Sequence, residues 1–338
     1  MKKFGIGQPL NRKEDLRFIS GKGQYTGDIF LENEAFMYVL RSNIAHGKIE
    51  NLDISEAKNA KGVINIFTAE DLKKDNIKDM PTNFKAKNKD GSEMFTPERT
   101  ALASDKVRHV GDPIAIVIAE NFELAKNAAE LIIVDFNELP AVAYTANALD
   151  NNSPKVWDND SNLCFDWEMG KKRETDVAFE NAETIVDIEL VNNRIVPNSM
   201  EPRGAIASYN ATAKKYELRC SSQGVHSLRD RISYVLNIEP EELRVITTDV
   251  GGGFGMKIFN YPEYVLSLYA SKKISRPVKW ISERTEAFLS DTHGRDHITK
   301  AEMALDKNGI FTGIRINTIA NMGAYLSNFA IFIPTLAG

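Results

Sequence analysis

Apolar positions along this chain fall into two patterns, and each pattern predicts a different kind of element. Short blocks rich in β-branched and aromatic residues, at 35–42, 63–68 and 132–136, are typical of strands. Residues 122–131 and 228–236 instead place apolar side chains three and four positions apart, which is the spacing of an amphipathic helix. Because short strands and short helices are mixed along the chain, we predict an α+β fold.

Further strands are predicted from alternation and from turn sequences. Residues 183–191 alternate apolar and polar side chains, as a half-buried strand does. Residues 298–305 and 310–319 flank a turn that ends in Gly309, and they predict a long β-hairpin. Residues 107–119 predict two strands around a Gly-Asp-Pro turn.

Segments without periodicity divide the chain into parts. Residues 73–100 are rich in Lys, Asp, Asn and Pro and predict a solvated excursion, while residues 150–161 have the composition of a linker. Residues 329–338 are strongly apolar, and since such side chains need a core, we expect the polypeptide to stop within a fold or another chain to supply the remainder. The predicted organisation is an N-terminal segment at 1–18, a first domain at 19–145, a linker at 146–164 and a second domain at 165–338.

Composition and charge narrow the class of protein. The chain has 338 residues, 43% of them hydrophobic, and a net charge of -5 with both signs interspersed, which argues against nucleic acid as a partner. No apolar run is long enough to insert into a membrane and the first residues lack the apolar centre of a signal peptide, so we expect a cytoplasmic protein. Two cysteines, Cys164 and Cys220, are too few for a disulfide framework or a four-thiolate metal site.

A cluster of glycines, four in the five positions 251–255, lies between a predicted strand and a predicted helix. Glycine permits positive φ and leaves room for close approach, so this backbone could contact an anionic or oxo-rich ligand. A tight connection that binds nothing is equally compatible with the spacing. Nucleotide motifs fit poorly, because position 256 is Met rather than Gly and Lys257 is followed by Ile258 rather than Ser or Thr.

Polar side chains near this loop allow functional and structural interpretations. Gln223 can donate and accept hydrogen bonds, but from the residues alone it is interpreted as a loop residue that caps backbone groups, and His226 as a structural residue. For Glu201 and Arg203 a structural ion pair is favoured over a site. The remaining pair, His293 and His297, lacks a third ligand and spans Gly294, so we predict no metal there.

Taken together, six segments in a fixed order resemble one family, the large molybdenum-binding subunits of aerobic carbon monoxide dehydrogenases with the related xanthine dehydrogenases and aldehyde oxidases. The segments are residues 5–28, with Gly21-Lys-Gly-Gln-Tyr-Thr-Gly-Asp28; Val110-Gly-Asp-Pro-Ile-Ala115; Met200-Glu-Pro-Arg-Gly204; Gln223 with His226; Asp249-Val-Gly-Gly-Gly-Phe-Gly-Met-Lys257; and Pro277-Val-Lys-Trp-Ile-Ser-Glu-Arg284. The resemblance implies that an α/β hammerhead domain is followed by the first part of a molybdopterin-binding domain.

The resemblance also implies a cofactor site. In the family a glutamine hydrogen-bonds an oxo or hydroxo ligand of molybdenum, and the backbone of a Gly-Gly-Phe-Gly turn lies against the metal's ligands. Carried over to this sequence, the cofactor-binding residues are Gln223, Gly252, Gly253, Phe254 and Gly255. The implied cofactor is molybdopterin, with its cytosine dinucleotide form as one alternative.

The implied function is that of a molybdenum hydroxylase that oxidises carbon monoxide, an aldehyde or a heterocycle with water as oxygen source. Its electrons would leave through an iron-sulfur subunit and a flavin subunit that carries FAD. Family subunits are longer, so the catalytic glutamate and active-site loop are expected beyond residue 338, in a missing C-terminal portion or chain, and no residue here is assigned as catalytic. The alternative is a non-catalytic truncated product or assembly partner. Ile258 stands where purine-oxidising members carry a glutamate, which disfavours purines.

Overall fold

The structure, a computed structural model, describes residues 5, 7 and 9–336, so parts of the predicted N-terminal segment and the last two residues of the predicted second domain lie outside it. The helices are α1 (Asp15–Ile19), α2 (Ser55–Lys58), α3 (Ala69–Lys74), α4 (Phe122–Ala129), α5 (Lys172–Glu180), α6 (Val225–Leu236), α7 (Pro262–Ile274), α8 (Arg284–Ser290) and α9 (Phe332–Leu336). The strands are β1 (Ala35–Arg41), β2 (Gly47–Asp53), β3 (Val63–Thr68), β4 (Lys106–Val107), β5 (Pro113–Ala119), β6 (Ile133–Glu138), β7 (Thr184–Asn192), β8 (Gly204–Asn210), β9 (Lys215–Cys220), β10 (Leu243–Thr247), β11 (Val278–Ile281), β12 (His297–Leu305) and β13 (Phe311–Ala320).

The largest sheet has seven strands in the order β10-β9-β8-β11-β1-β5-β3. The pairs β9–β10 and β1–β11 are parallel and the others antiparallel. Four neighbouring strands of this sheet (β10, β9, β8 and β11) come from the predicted second domain and three (β1, β5 and β3) from the first, and the parallel pair β11–β1 joins the two groups. One hydrogen-bonded sheet therefore contains strands from both sides of the predicted linker at 146–164. The domain boundaries at 145 and 165 stay a prediction.

Two cores cover this sheet. One contains α6 and α7 packed on the strands, with the fully buried side chains Tyr264, Leu268 and Trp280 at its centre. Helix α7 is buried around most of its circumference, as expected of a helix that carries apolar residues on all sides. The second core lies under α2 and α4 and includes Ala115, Val117 and Ala119 of β5. Both faces of β5 are therefore buried.

A three-stranded sheet, in the order β13-β12-β7, stands apart from these cores. The predicted hairpin is confirmed as β12 and β13. The prediction that residues 183–191 are half-buried is wrong, because every residue of β7 is exposed. The reason is that β7 is an edge strand and no helix in the described part of the chain covers it. Helix α5, which the sequence pattern does not predict, packs on β13 instead, where Gly313 contacts Ala178.

The structure describes two further segments about which the sequence made predictions. The strands within 107–119 exist, but β4 pairs with β2 in a third sheet, β4-β2-β6, while β5 pairs with β1 and β3, so they do not form a hairpin with each other. The apolar tail packs on this chain as far as it is described: the ring of Phe329 lies 5.7 Å from that of Phe259 and 5.9 Å from that of Phe84. Within the described residues, no helix is both long and apolar enough to cross a bilayer.

Candidate functional site

The glycine loop, residues 251–257, connects the end of β10 to the start of α7, as predicted. Its backbone turns through positive φ at Gly252 (99°), Phe254 (52°) and Gly255 (87°), and Met256 N donates to Gly253 O at 2.9 Å to close the turn. Positive φ strains a residue with a side chain, so glycine suits two of these three positions and Phe254 is the exception.

The glycines at 251 and 253 are required for a different reason, which is room for other side chains. A Cβ atom at Gly251 would lie 2.5 Å from the Cβ of Glu201, and one at Gly253 would lie 2.7 Å from the Cδ of Gln223. Both distances are shorter than any real contact between such atoms. These two glycines therefore admit side chains of this same chain, which is the tight packing that the alternative interpretation of the loop predicts.

The carboxamide oxygen of Gln223 is hydrogen-bonded to the glycine loop. Its Oε1 accepts a hydrogen bond from Lys257 N at 3.1 Å, and the backbone N–H of Gln223 donates to Lys257 O at 3.1 Å. A backbone N–H can donate only to an oxygen, so this contact determines which way the amide is turned. Gln223 is exposed, and its NH₂ end is the part left to meet another partner. The side chain therefore caps the backbone, as its sequence predicts, and still presents two donors.

Glu201 and Lys257 hold the two ends of the glycine loop. Glu201 Oε2 accepts from Gly251 N at 2.8 Å and from Lys257 Nζ at 2.7 Å. Lys257 is fully buried. Burial lowers the pKa of its ammonium group, and the Glu201 carboxylate opposes that shift. The ion pair is thus an internal one, between residues 56 positions apart.

Two residues near the N-terminus contact Asp249, which lies two positions before the glycine loop. Asp249 N donates to Gln24 O at 3.1 Å, Gln24 N donates to the Asp249 carboxylate at 2.7 Å, and Arg17 forms a salt bridge with the same carboxylate. The hydrogen bonds from Arg17 and Gln24 lower the pKa of Asp249. These contacts join the beginning of the chain to a residue more than 220 positions later.

The expected Glu201–Arg203 ion pair is wrong, because the two side chains diverge. Arg203 is buried and pairs with Glu263 at 2.8 Å and Asp291 at 2.5 Å, while Glu201 turns to Lys257. The guanidinium also lies 3.6 Å from the ring centroid of Tyr261, whose hydroxyl donates to Met256 O at the end of the glycine turn. Sequence reasoning missed these partners, because they lie 56 to 88 positions away along the chain.

His226, His293 and His297 occupy different parts of the fold. His226 is in the first turn of α6 and is exposed, and His297 begins β12 rather than sitting on a helix with His293. Gly294, between that pair, exchanges backbone hydrogen bonds with Ile195. Among residues 9–336, no group of three His, Cys, Asp or Glu side chains could hold a metal ion.

Comparison with known families identifies the class. The model of the molybdopterin cofactor-binding domain matches residues 156–338, and that of the a/b hammerhead domain of aldehyde oxidase and xanthine dehydrogenase matches residues 20–140. The first match covers more than half of the chain, so the chain belongs to the molybdopterin cofactor-binding family, with a hammerhead domain before the cofactor-binding domain. The predicted family and fold class are confirmed.

Individual relatives agree with this class. The carbon monoxide dehydrogenase large chain of Hydrogenophaga pseudoflava is 32% identical over 93% of this chain and 39% of its own length. The nicotine 6-hydroxylase large subunit of Paenarthrobacter nicotinovorans is 30% identical over 95% of this chain and 38% of its own. The structure of reconstituted CO dehydrogenase from Oligotropha carboxidovorans superposes with a TM-score of 0.85 at 30% identity, over 93% of this chain and 39% of that one. The chain thus spans about two fifths of the length of these relatives.

Proposed function

We propose that Gln223 and the backbone of Gly252, Gly253, Phe254 and Gly255 form part of the molybdenum-cofactor site of a molybdenum hydroxylase large subunit. The observation that carries this proposal is the contact between Gln223 and the glycine loop, which are 30 positions apart in sequence. The amide of Gln223 lies so close to Gly253 that any side chain there would collide with it. An exposed carboxamide beside a glycine turn can meet a ligand and the backbone together.

The open side of the loop suits such a cofactor. Phe254 is 75% exposed, and a Cβ at Gly255 would meet no atom within 4 Å. The NH₂ group of Gln223 is a donor, which complements the oxygen atoms of an oxo ligand or of a phosphate. The residues present therefore fit a molybdopterin group placed against this face, in its simple or its cytosine dinucleotide form.

When bound, the cofactor would supply two-electron oxidation of a substrate with oxygen derived from water. In this proposal, Gln223 donates a hydrogen bond from Nε2 to an oxygen ligand while Oε1 stays bound to Lys257 N. The glycine turn contributes the absence of side chains, so that backbone lies close to the ligands. Positioning of this kind works because the donors are oriented before the ligand arrives.

The catalytic base in this proposal comes from polypeptide that corresponds to the remaining length of the relatives. Glu201 and Glu263 are unsuitable, since Glu201 pairs with Lys257 and the buried Glu263 pairs with Arg203. Relatives named for carbon monoxide dehydrogenase and nicotine 6-hydroxylase support carbon monoxide or a heterocycle as the substrate.

Electron acceptors are proposed to lie on partner subunits that carry iron-sulfur clusters and FAD. The two cysteines of this chain do not suit a cluster. Burial raises the pKa of both Cys164 and Cys220 to about 12, so neither readily becomes the thiolate that iron requires.

The test is metal analysis of the chain produced together with the polypeptides that match the rest of the relatives. We expect molybdenum and pterin in the purified assembly, and a well-folded assembly free of both would contradict the proposal. Gln223→Ala and Gly253→Val should lower molybdenum occupancy. Matched controls are Gln24→Ala, an exposed glutamine, and Gly294→Ala, where a Cβ meets no atom within 4 Å. Equal molybdenum occupancy in the site variants and the controls would show that neither Gln223 nor Gly253 belongs to the site.

A further inference from the structure

Glu201 has an unusual set of contacts, because a single carboxylate joins three separate segments. Its Oε1 accepts from Thr26 N at 3.3 Å, in the turn that precedes β1. Its Oε2 accepts from Gly251 N and from Lys257 Nζ, at the two ends of the glycine loop. The backbone N–H of Glu201 also donates to Gly251 O at 3.1 Å. The loop is therefore closed into a ring through one oxygen atom.

Lys257 extends this ring to Gln223. The side chain of Lys257 is bound to Glu201, while its backbone N–H and C=O are bound to the side chain and the backbone of Gln223. A displacement of Lys257 therefore removes the hydrogen bond that orients the Gln223 amide. The contacts form one continuous path from Glu201 through Lys257 to Gln223.

We propose that Glu201 is a positioning residue, which acts through Lys257 to hold the Gln223 amide with its NH₂ group directed to the cofactor. The functional meaning of that orientation rests on the proposed cofactor contact. The orientation itself is a property of this chain and can be measured without cofactor.

Charge makes this pair essential to the arrangement. A buried ammonium group without a counterion is costly, so loss of the Glu201 charge forces Lys257 either to lose its proton or to move toward water. Movement of the side chain displaces residue 257, whose backbone N–H and C=O both bind Gln223. The Gln223 amide then loses its fixed acceptor role.

The experiment is ¹H–¹⁵N NMR of the side-chain amides of the 338-residue chain, together with hydrogen exchange of the backbone over residues 249–257. The Gln223 NH₂ signals are assigned by their absence in Gln223→Ala. In Glu201→Gln we expect these signals to shift or broaden and exchange in the loop to accelerate by about tenfold or more, while the chain stays folded and its unfolding midpoint falls because Lys257 lacks its counterion. Lys257→Met should give the same result, and the double variant should be no worse than either single one, since all three break one path.

The control is Glu120→Gln, which removes a carboxylate paired with Arg276 at 2.9 Å and should leave the Gln223 signals unchanged. Unchanged Gln223 signals and loop exchange in folded Glu201→Gln would overturn the proposal, as would strictly additive effects in the double variant. Should Glu201→Gln fail to fold, Lys257→Met decides the question, because it keeps the bonds of Glu201 to Thr26 and Gly251. A cofactor-free assembly would contradict the proposed function, but it would not change what the amide signals and the hydrogen exchange show about Glu201.

Discussion

The guanidinium of Arg203 and the carboxylate of Glu263 form an ion pair at 2.8 Å, with 0% and 1% of the two side chains exposed. Arg203 precedes β8 and Glu263 is in the first turn of α7, so the pair joins the central sheet to the helix that follows the glycine loop. Arg41 of β1 also binds Glu263, at 2.6 Å. Burial on this scale makes the pair a stability determinant, because loss of Glu263 removes a carboxylate that binds two buried guanidinium groups and leaves Asp291 and Glu286 as their remaining carboxylate partners.

Replacement of Glu263 by Gln should therefore destabilise the chain by about 3–5 kcal/mol. The measurement is the free energy of unfolding from urea titration. Glu120→Gln, at an exposed pair, should cost less than about 1 kcal/mol and is the control. A loss at Glu263 no larger than that at Glu120 would contradict the assigned role.

The same carboxylate predicts a dependence on pH. Burial by itself would raise the pKa of Glu263, but Arg203 and Arg41 outweigh it and lower the pKa from 4.5 to about 2. The unfolded chain therefore binds more protons between these values, and the stabilisation present above pH 4.5 is lost as pH falls through about 2. The stability difference between wild type and Glu263→Gln should shrink over that interval. A difference that stays constant would show that Glu263 does not titrate there.

Gly251→Ala should destabilise the chain by about 1–3 kcal/mol, since the new Cβ collides with Glu201 and the loop must shift. Gly294→Ala is the matched control, because its Cβ enters open space. Urea midpoints of the two variants compare the sites directly. Equal midpoints would mean that Glu201 moves aside without cost.

Exposure of β7 predicts a contrast between two isoleucines. Ile116 of β5 is fully buried, and its replacement by Ala should cost about 2–5 kcal/mol. Ile188 of β7 is 53% exposed, so the same replacement should cost clearly less, about 1 kcal/mol. Thermal or urea unfolding of the two variants checks this, and a large loss at Ile188 would indicate that β7 is buried in solution.

Most elements could be predicted because their signals are local. Strand β1 was predicted from a block of apolar residues, α4 from the spacing of apolar residues, and the hairpin from the turn at Gly309. Each of these signals lies within a few neighbouring residues. Helix α5 was not predicted, because its local sequence signal is weak. Its apolar residues are the three consecutive positions Val177, Ala178 and Phe179, of which only Phe179 is buried, so the segment contains few of the apolar residues by which the other helices were predicted.

The sequence by itself determined the order of most elements, the glycine turn and the family, because each of these depends on residues that are close together in sequence. Only the tertiary structure decided that Glu201 pairs with Lys257 rather than Arg203, and that Gln223 lies against Gly253. These contacts join residues 30 to 56 positions apart. Their geometry depends on how strands and helices pack, and ion pairing is decided by which charges burial brings within reach of each other.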